Sequence, residues 1–204
     1  TFMNSNLRVV SEIYQPIAHN LLTKCESLEQ IKRLYSHFQP VAQCRQWLKN
    51  HLSHVQQIEA SSTSKAAEMA AADPESAAIA TNLAAERNGM PILCEHIEDN
   101  TTNRTRFLVL GYNEPEPTGK DKTSILFSVQ NKSGELVHAL SAFEKYNVNM
   151  TMIESRPTKV EAWQYAFYVD VQGHIRDYGV ERAVSLLKEH SLFVRVLGSY
   201  PEAL

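Results

Sequence analysis

The chain contains 204 residues, of which 43% are hydrophobic and 21% are charged, and its formal net charge at pH 7 is −3. This composition is typical of a globular protein with one large or two modest domains, and it excludes a chain that is disordered throughout. Because no basic stripe or Lys/Arg-rich run occurs, nucleic-acid binding has no electrostatic support.

The cysteines and the hydropathy pattern indicate the compartment in which the protein is expected to work. Cys25, Cys44 and Cys94 are odd in number and lack a C-x-x-C spacing, which predicts neither a disulfide framework nor a zinc site. A reducing cytoplasm is therefore the expected compartment. No stretch reaches the roughly 18 apolar residues that span a bilayer, so we expect no membrane association. The opening residues, TFM, do not resemble a signal peptide and indicate a start in mid-domain.

Extended and helical patterns alternate over the first 112 residues. Strands are predicted over residues 7–14, 17–22, 55–58, 77–80 and 106–110, and helices over 28–35, 41–52, 65–71 and 82–88. Pro16 separates the first two strands because it cannot donate to a strand ladder. Ser62 and Thr63 can cap the third helix, and Gly89 ends the fourth. This alternation predicts an α/β layer fold.

A polar segment separates the two halves of the chain. Residues 113–122, NEPEPTGKDK, contain two prolines, one glycine and five charged residues, which predicts a linker. After it, strands are predicted over residues 124–129, 149–154, 163–169 and 192–197, and helices over 136–143 and 180–187. The order βαββαβ predicts a ferredoxin-like domain. We therefore place domains at 1–112 and 123–204, with the linker between them.

Three polar segments each allow a binding and a structural interpretation. Thr105 and Arg106 end a polar cluster, 99–107, and Arg binds carboxylates through its planar fork, although Asn and Asp also favour turns. The Ser62–Thr63 pair could hold a carboxylate at a helix start or only cap the helix. The ESRP segment, Glu154–Pro157, could contact a ligand or only end a strand. The residues alone thus predict two α/β-type domains with a candidate anion site.

Several segments, taken in order, carry a resemblance to one enzyme family. The stretch Ile97–Gly111, IEDNTTNRTRFLVLG, resembles the signature of prephenate dehydratases, in which Thr-Arg-Phe follows an asparagine and precedes an apolar strand. Segments similar to the same family precede it: SHFQPVAQC at 36–44, ASSTSKAAEMAA at 60–71 and AAIA at 77–80. The family has proline where Phe38 stands.

The second half resembles the regulatory ACT domain that is attached to these enzymes. Gly134–Val137, GELV, is similar to a Gly-Ala-Leu-Val motif, with Glu135 in place of alanine. Glu154–Pro157 matches a Glu-Ser-Arg-Pro motif, and Leu197–Pro201, LGSYP, matches the usual ending. The resemblance implies an α/β, periplasmic-binding-protein-like catalytic domain without its N-terminal portion, followed by a ferredoxin-like ACT domain. The family's Gly-rich opening and Pro-x-Glu-Asn-Ser segments are not in this sequence, so activity of the chain alone is open.

The resemblance also implies a reaction and its residues. The family converts prephenate to phenylpyruvate with loss of CO2 and the ring hydroxyl, and no metal or organic cofactor is expected. Thr105 is expected to assist the departing hydroxyl as the catalytic residue. The expected substrate contacts are Ser62, Thr63, Asn103, Arg106 and Phe107. Two alternatives stay open: a phenylalanine-sensing fragment without catalysis, and an enzyme that acts on arogenate.

The ACT resemblance implies feedback by L-phenylalanine. Such modules bind the amino acid between paired domains, so a homodimer or a homotetramer is expected. The expected contacts are Gly134, Glu135, Leu136, Val137, Asn149, Glu154, Ser155, Arg156 and Pro157.

Overall fold

The computed structural model describes residues 6–157 and 165–203. Its elements, in chain order, are β1 (Arg8–Pro16), β2 (Asn20–Thr23), β3 (Arg33–Ser36), α1 (Phe38–Gln43), α2 (Arg45–His51), β4 (Gln56–Glu59), α3 (Thr63–Ala71), β5 (Ser76–Ala80), α4 (Asn82–Asn88), β6 (Ile92–Cys94), β7 (Arg104–Gly111), β8 (Asp121–Ser128), α5 (Glu135–Lys145), β9 (Met150–Pro157), β10 (Tyr165–Gln172), α6 (Tyr178–Glu189) and β11 (Phe193–Pro201).

The chain packs into two compact units. We call residues 15–105 the N-terminal unit, and residues 1–14 with 106–204 the C-terminal unit. The division falls inside β7, between Thr105 and Arg106, whereas the predicted linker at 113–122 lies within the C-terminal unit. The domain boundaries proposed from the sequence stay a prediction.

The N-terminal unit is built on a five-stranded sheet with the order β4-β3-β5-β2-β6. β3 runs parallel to β4 and β5, and β2 runs antiparallel to β5 and β6. Every residue of β5 is buried, as expected for a central strand covered on both faces. Ala66, Ala67 and Ala70 of α3 are fully buried in one cluster with Ala78 and Ala80 of β5. Small side chains on both elements allow the helix to lie close to the sheet.

The predicted helix over residues 28–35 is wrong. Leu28–Gln30 form a single 3-10 turn, and the chain then enters β3. Leu28, Ile31 and Leu34 repeat at helical spacing and all pack in one core cluster, which explains the prediction. The backbone of β3 instead pairs with two strands, and such tertiary pairing overrides local propensity.

Most other predicted elements of both halves are confirmed within one to three residues. The predicted helix over 41–52 is divided at Cys44 into α1 and α2, and the three-residue strand β6 was not predicted. Residues 163 and 164 of one predicted strand lie outside the described residues, and the remainder of that strand belongs to β10. No helix within the two described ranges is both long and apolar enough to cross a membrane.

The C-terminal unit contains a four-stranded antiparallel sheet with the order β11-β8-β10-β9. Its core lies between the sheet and the two helices, where Phe127 of β8 packs with Phe143 of α5 and Leu187 of α6. The element order βαββαβ confirms the predicted ferredoxin-like arrangement.

The other face of this sheet is covered by β1, which forms a two-stranded sheet with β7. Val9 of β1 is buried in a cluster with Leu126, Leu197 and Tyr200. A Cβ atom on Gly198 would lie 2.0 Å from the Val9 carbonyl oxygen. Glycine at this position therefore allows the β1 backbone to lie directly on β11, which gives a structural reason for the LGSYP segment.

The N-terminal unit contains a two-point ion pair that makes its stability depend on pH. Arg33 Nε and Nη2 donate to the two carboxylate oxygens of Asp73 at 2.5 and 2.6 Å, and the Tyr35 hydroxyl donates to Asp73 Oδ2 at 3.1 Å. The Arg33 contacts lower the pKa of Asp73 from 3.8 to about 2.

Asp73→Asn is expected to destabilise the N-terminal unit at neutral pH and to reduce its sensitivity to acid. A carboxylate with a depressed pKa stabilises the fold above its unfolded pKa, and this contribution disappears as the pH falls through the folded pKa. The stability difference between wild type and variant should be constant above about pH 5 and shrink from about pH 4 to about pH 2. Urea unfolding at a series of pH values measures it, and a pH-independent difference would contradict the assignment.

Gly198→Ala is expected to destabilise the C-terminal unit by about 1–3 kcal/mol, because the new methyl group meets backbone atoms that cannot rotate away. Gly111→Ala is the matched control, since its Cβ would meet only the Val10 methyl groups, at 3.1 and 3.2 Å. Thermal unfolding of both variants measures the difference. Equal losses in the two variants would show that the Val9 backbone contact is not the cause.

Candidate functional site

The parallel strands of the N-terminal unit bring three helix starts to one edge of its sheet. Because β3, β4 and β5 are parallel, their carboxyl ends lie at the same edge. The chain leaves these strands at His37, at Ser61–Ser62 and at Thr81, and each departure leads into a helix. In open α/β sheets, ligands bind outside the carboxyl ends of the strands. This carboxyl edge is the candidate active site.

Ser62 and Thr63, which were predicted to bind substrate, lie at the carboxyl edge. The Ser62 hydroxyl accepts a hydrogen bond from the Lys65 amide at 3.1 Å, and Thr63 is the first residue of α3. The capping interpretation is therefore confirmed. Capping does not exclude binding, because the remaining first-turn N–H groups and the helix dipole still favour an anion at this end.

His37 and Thr81 were not predicted as site residues, although they stand in equivalent places. His37 Nδ1 accepts from the Gln39 amide at 3.4 Å, and Thr81 Oγ1 accepts from the Ala84 amide at 3.4 Å. The available signal was a polar residue directly after each buried strand. For His37 this signal was hidden, because the strand before it reads as a helix.

β2 adds a polar group to the same edge, because it is antiparallel to β5 and its first residue, Asn20, pairs with Ala80. The Asn20 amide donates to the side-chain oxygen of Asn82. His19 Nε2 lies 2.7 Å from Gln43 Oε1, and His19 Nδ1 is buried without a hydrogen-bond partner within the described residues. Since an amide oxygen only accepts, this pairing puts a proton on Nε2.

Glu98 is a buried carboxylate beside His19. Burial alone would raise its pKa, but hydrogen bonds outweigh burial and leave the pKa below its ordinary value. The largest of them comes from the His19 amide, which donates to Glu98 Oε2 at 2.8 Å. Glu98 is therefore ionised at neutral pH and secures the start of β2. No group of three or more His, Cys, Asp or Glu side chains among the described residues could hold a metal ion.

The polar loop before β7 is a turn up to Asn103. The Asn100 side chain accepts from the Thr102 amide at 3.0 Å, and Asp99 caps α2 by accepting from the Gln46 and Trp47 amides at 2.8 and 3.0 Å. The Asn103 carbonyl accepts from the Ile17 amide at 3.0 Å. Ile17 precedes β2 by three residues, so this contact places Asn103 just beyond the carboxyl edge.

Thr105, Arg106 and Phe107 all lie inside β7 rather than in the loop before it. Successive side chains of a strand project to opposite faces, so Thr105 and Phe107 share a face and Arg106 takes the other. Thr105 is exposed, and 55% of Phe107 is exposed.

Arg106 is engaged by protein acceptors on the opposite face. Nη1 donates to Asp170, Nη2 donates to the Tyr200 hydroxyl at 2.7 Å, and Nε lies 2.7 Å from Glu12 Oε2. Burial disfavours the charge, but Tyr200, Asp170 and Glu12 outweigh burial and raise the pKa of Arg106. This occupancy argues against the predicted role of Arg106 in substrate binding, because a substrate carboxylate would have to displace two hydrogen-bond acceptors and an ion-pair partner.

The predicted effector segment Gly134–Val137 forms the start of α5. Gly134 adopts φ +87°, which lets the chain turn into the helix, and Glu135 is the first helical residue. Leu136 is half-buried and Val137 is exposed. As in any helix, the first N–H groups have no intrahelical acceptor and can bind a carboxylate.

The second predicted effector segment, Glu154–Pro157, ends the edge strand β9. Ser155 pairs with Phe167, and Arg156 pairs its guanidinium with Glu154 at 2.8 Å. Phe167 and Leu136 line one shallow depression of about 200 Å³. The two predicted segments therefore lie at the same end of the C-terminal sheet.

Asn149 does not join these segments within one chain. It precedes β9, at the opposite end of the strand from Glu154, and its side chain donates to Gln172 Oε1 at 3.2 Å. It lines a separate cavity of about 540 Å³, together with Asn147, Gly173 and Asp177. If Asn149 contacts the same ligand, that contact must come from a second copy.

Comparison with known proteins agrees with the sequence motifs. The pattern of the prephenate dehydratase family matches residues 1–115, and the ACT domain pattern matches residues 123–185. A bifunctional chorismate mutase/prephenate dehydratase of Aquifex aeolicus is 46% identical over 203 residues, which cover 100% of this chain and 56% of the relative. The chain thus spans little more than half the length of the curated relatives it matches.

Two solved structures share the fold. Prephenate dehydratase from Arthrobacter aurescens in complex with L-Phe is 36% identical, with a TM-score of 0.83 over 97% of this chain and 67% of that chain. GqqA, described as a novel type of quorum quenching acylase, is 32% identical, with a TM-score of 0.82 over 97% of this chain and 73% of that chain. Because the family pattern covers more than half of the sequence, this chain belongs to the prephenate dehydratase family.

Proposed function

We propose that this protein converts prephenate to phenylpyruvate. The observation that carries the proposal is the carboxyl edge, which collects Ser62, Thr63 and Asn103 outside three parallel strands. Those residues belong to the segments that resemble the family. A dianionic substrate fits an edge where helix starts present N–H groups.

The reaction divides prephenate into phenylpyruvate, CO2 and hydroxide. The bond from the ring to the carboxylate breaks, its electrons complete the aromatic ring, and the ring C–O bond breaks as hydroxide departs. Thr105 would donate a hydrogen bond to the departing oxygen. A threonine hydroxyl is a weak acid, so its contribution comes from position and electrostatics rather than acid strength. Phe107, on the same face of β7, would shape the pocket beside it.

Thr105→Val is expected to lower kcat for prephenate by about 10²–10⁴-fold, because it removes the donor and keeps the β-branched shape. Thr105→Ser is the matched control and should retain most of the activity, since it keeps the hydroxyl. Phenylpyruvate formation by the full-length gene product measures both. Full turnover by the valine variant would remove Thr105 from this role.

Related assays distinguish prephenate dehydration from two other reactions. Arogenate differs from prephenate in its side chain, and direct competition between the two substrates shows which is preferred. The likeness to GqqA makes an assay of quorum quenching acylase activity a necessary control. Assays of the 204-residue chain by itself address the remaining alternative, a fragment that senses phenylalanine without catalysis.

We propose that L-phenylalanine binds the C-terminal unit and inhibits the enzyme. The helix start at Gly134–Val137 would receive the carboxylate, and the depression beside Leu136 would receive part of the ring. Glu154, Ser155, Arg156 and Pro157 lie at the same end of the sheet. A homodimer or homotetramer would complete the site and could bring Asn149 to it from another copy. The three free cysteines fit a reducing compartment, for which we propose the cytoplasm.

Gly134→Ala is expected to weaken L-phenylalanine binding by about tenfold, since a side chain is strained at φ +87° and would disturb the start of α5. Gly119→Ala is the matched control, because Gly119 has φ +84° with nothing near its Cβ position and lies away from this end of the sheet. Isothermal titration calorimetry measures both affinities. Equal affinities in the two variants would disprove the placement of the ligand at α5.

A further inference from the structure

The Arg106 side chain is held at three points by three strands. Asp170 belongs to β10, Tyr200 to β11 and Glu12 to β1. All three partner side chains are buried, and the Arg106 side chain is only 19% exposed. Nη1 and Nη2 donate hydrogen bonds to Asp170 and Tyr200, whereas Nε forms an ion pair with Glu12 without hydrogen-bond geometry. Because the N–H donors of a guanidinium lie in one rigid plane, the two hydrogen bonds and the ion pair together fix the orientation of the group as well as its position.

A second layer of contacts closes this cluster. Lys122 Nζ binds Glu12 Oε1 at 2.7 Å, and the Ser124 hydroxyl contacts the Tyr200 hydroxyl at 2.6 Å and donates to Asp170. We call the six residues the Arg106 cluster: Glu12, Arg106, Lys122, Ser124, Asp170 and Tyr200. Its two cations and two carboxylates cancel in charge. Displacement of any of the four charged members would leave a buried charge uncompensated, so the cluster favours one arrangement.

We propose that Arg106 is a positioning residue that fixes β7 to the C-terminal sheet and transmits L-phenylalanine binding in that sheet to Thr105. The proposal rests on the proposed roles of Thr105 and L-phenylalanine. Thr105 directly precedes Arg106 in β7. Because the contacts of Arg106 fix its side chain, the backbone at Thr105 has little freedom to move. The opposed directions of the two side chains leave Thr105 free for chemistry.

The proposed effector end of the sheet reaches the cluster through one continuous strand. β10 carries Tyr165 and Phe167, which line the depression beside Leu136, and the same strand carries Asp170. β10 also pairs along its length with β9, whose end is the Glu154–Pro157 segment. A ligand that shifts or stiffens this end of β10 therefore acts on the carboxylate that binds Arg106. A shared rigid element of this kind is a physical route for coupling.

Four variants of the full-length gene product test the proposal. Asp170→Asn removes the charge and keeps the shape, Arg106→Lys keeps the charge and removes the planar fork, and the double variant completes a cycle. Asp73→Asn is the matched control, because it breaks an arginine–carboxylate fork of the same kind in the N-terminal unit.

The two single variants are expected to lower kcat for prephenate by at least about fivefold with KM within about twofold. Saturating L-phenylalanine should inhibit them by no more than about half as much as it inhibits wild type, while the calorimetric affinity stays within about twofold. The double variant should be no worse than Arg106→Lys alone, because that variant already loses the guanidinium contact with Asp170. Asp73→Asn should keep both kcat and inhibition. A purely stabilising cluster would instead lower the melting temperature and leave kcat and inhibition unchanged, which would overturn the proposal.

Hydrogen–deuterium exchange supplies a readout that does not depend on activity. In Asp170→Asn, peptides covering β7 should exchange at least about tenfold faster, while peptides covering α5 and α6 stay protected and show that the unit is folded. If wild-type protein fails to turn over prephenate, the proposed function fails, and this exchange measurement alone decides the positioning role. Unchanged β7 exchange in Asp170→Asn and Arg106→Lys would overturn the proposal in either case.

Discussion

The positive charge of Arg106 can be buried only because Glu12 and Asp170 meet it, and this requirement determines the path of β1 and β7 in the C-terminal unit. A buried cation without partners would cost several kcal/mol, whereas a neutralised and hydrogen-bonded cluster is tolerated. The cluster therefore favours a single packing of β1 and β7 on the C-terminal sheet. Gly198 supplies the steric counterpart, because only its missing side chain allows the β1 backbone to reach the position that puts Glu12 beside Arg106.

The N-terminal unit follows a different constraint. Parallel strands deliver their carboxyl ends to one edge, and every chain that leaves such an edge must turn into a helix or a loop. His37, Ser62 and Thr81 each satisfy backbone donors at that turn, so the polar residues of the candidate site are first required by the fold. One helix start can therefore both be capped and bind a ligand. The cap accepts a hydrogen bond from one backbone N–H group and leaves the other first-turn N–H groups for a ligand.

Periodicity in the sequence was sufficient to predict the βαββαβ order of the C-terminal unit, because α5 and α6 are amphipathic and bury their apolar faces in one core against the sheet. It failed at residues 28–35, where Leu28, Ile31 and Leu34 repeat at helical spacing while the backbone pairs as a strand. Motif resemblance is the basis on which Thr105, Ser62 and Asn103 are proposed as site residues. It could not reveal that Arg106 faces away from Thr105, because its partners Glu12 and Asp170 are 94 and 64 residues distant along the chain. Contacts of that range leave no local signature.

The alternation of a β-strand explains how three consecutive residues can serve two purposes. Thr105 and Phe107 share one face of β7, and the Arg106 side chain lies on the other, so the proposed chemistry and the anchoring contacts do not compete for the same space. A threonine hydroxyl has little intrinsic acidity, and its value to a reaction depends on being held within a fraction of an ångström of its target. β7 supplies that rigidity, because the side chain that follows Thr105 is fixed in the buried, charge-balanced Arg106 cluster. Under the proposed roles of Thr105 and L-phenylalanine, the same contacts would let a ligand that moves the C-terminal sheet alter the rate of the reaction.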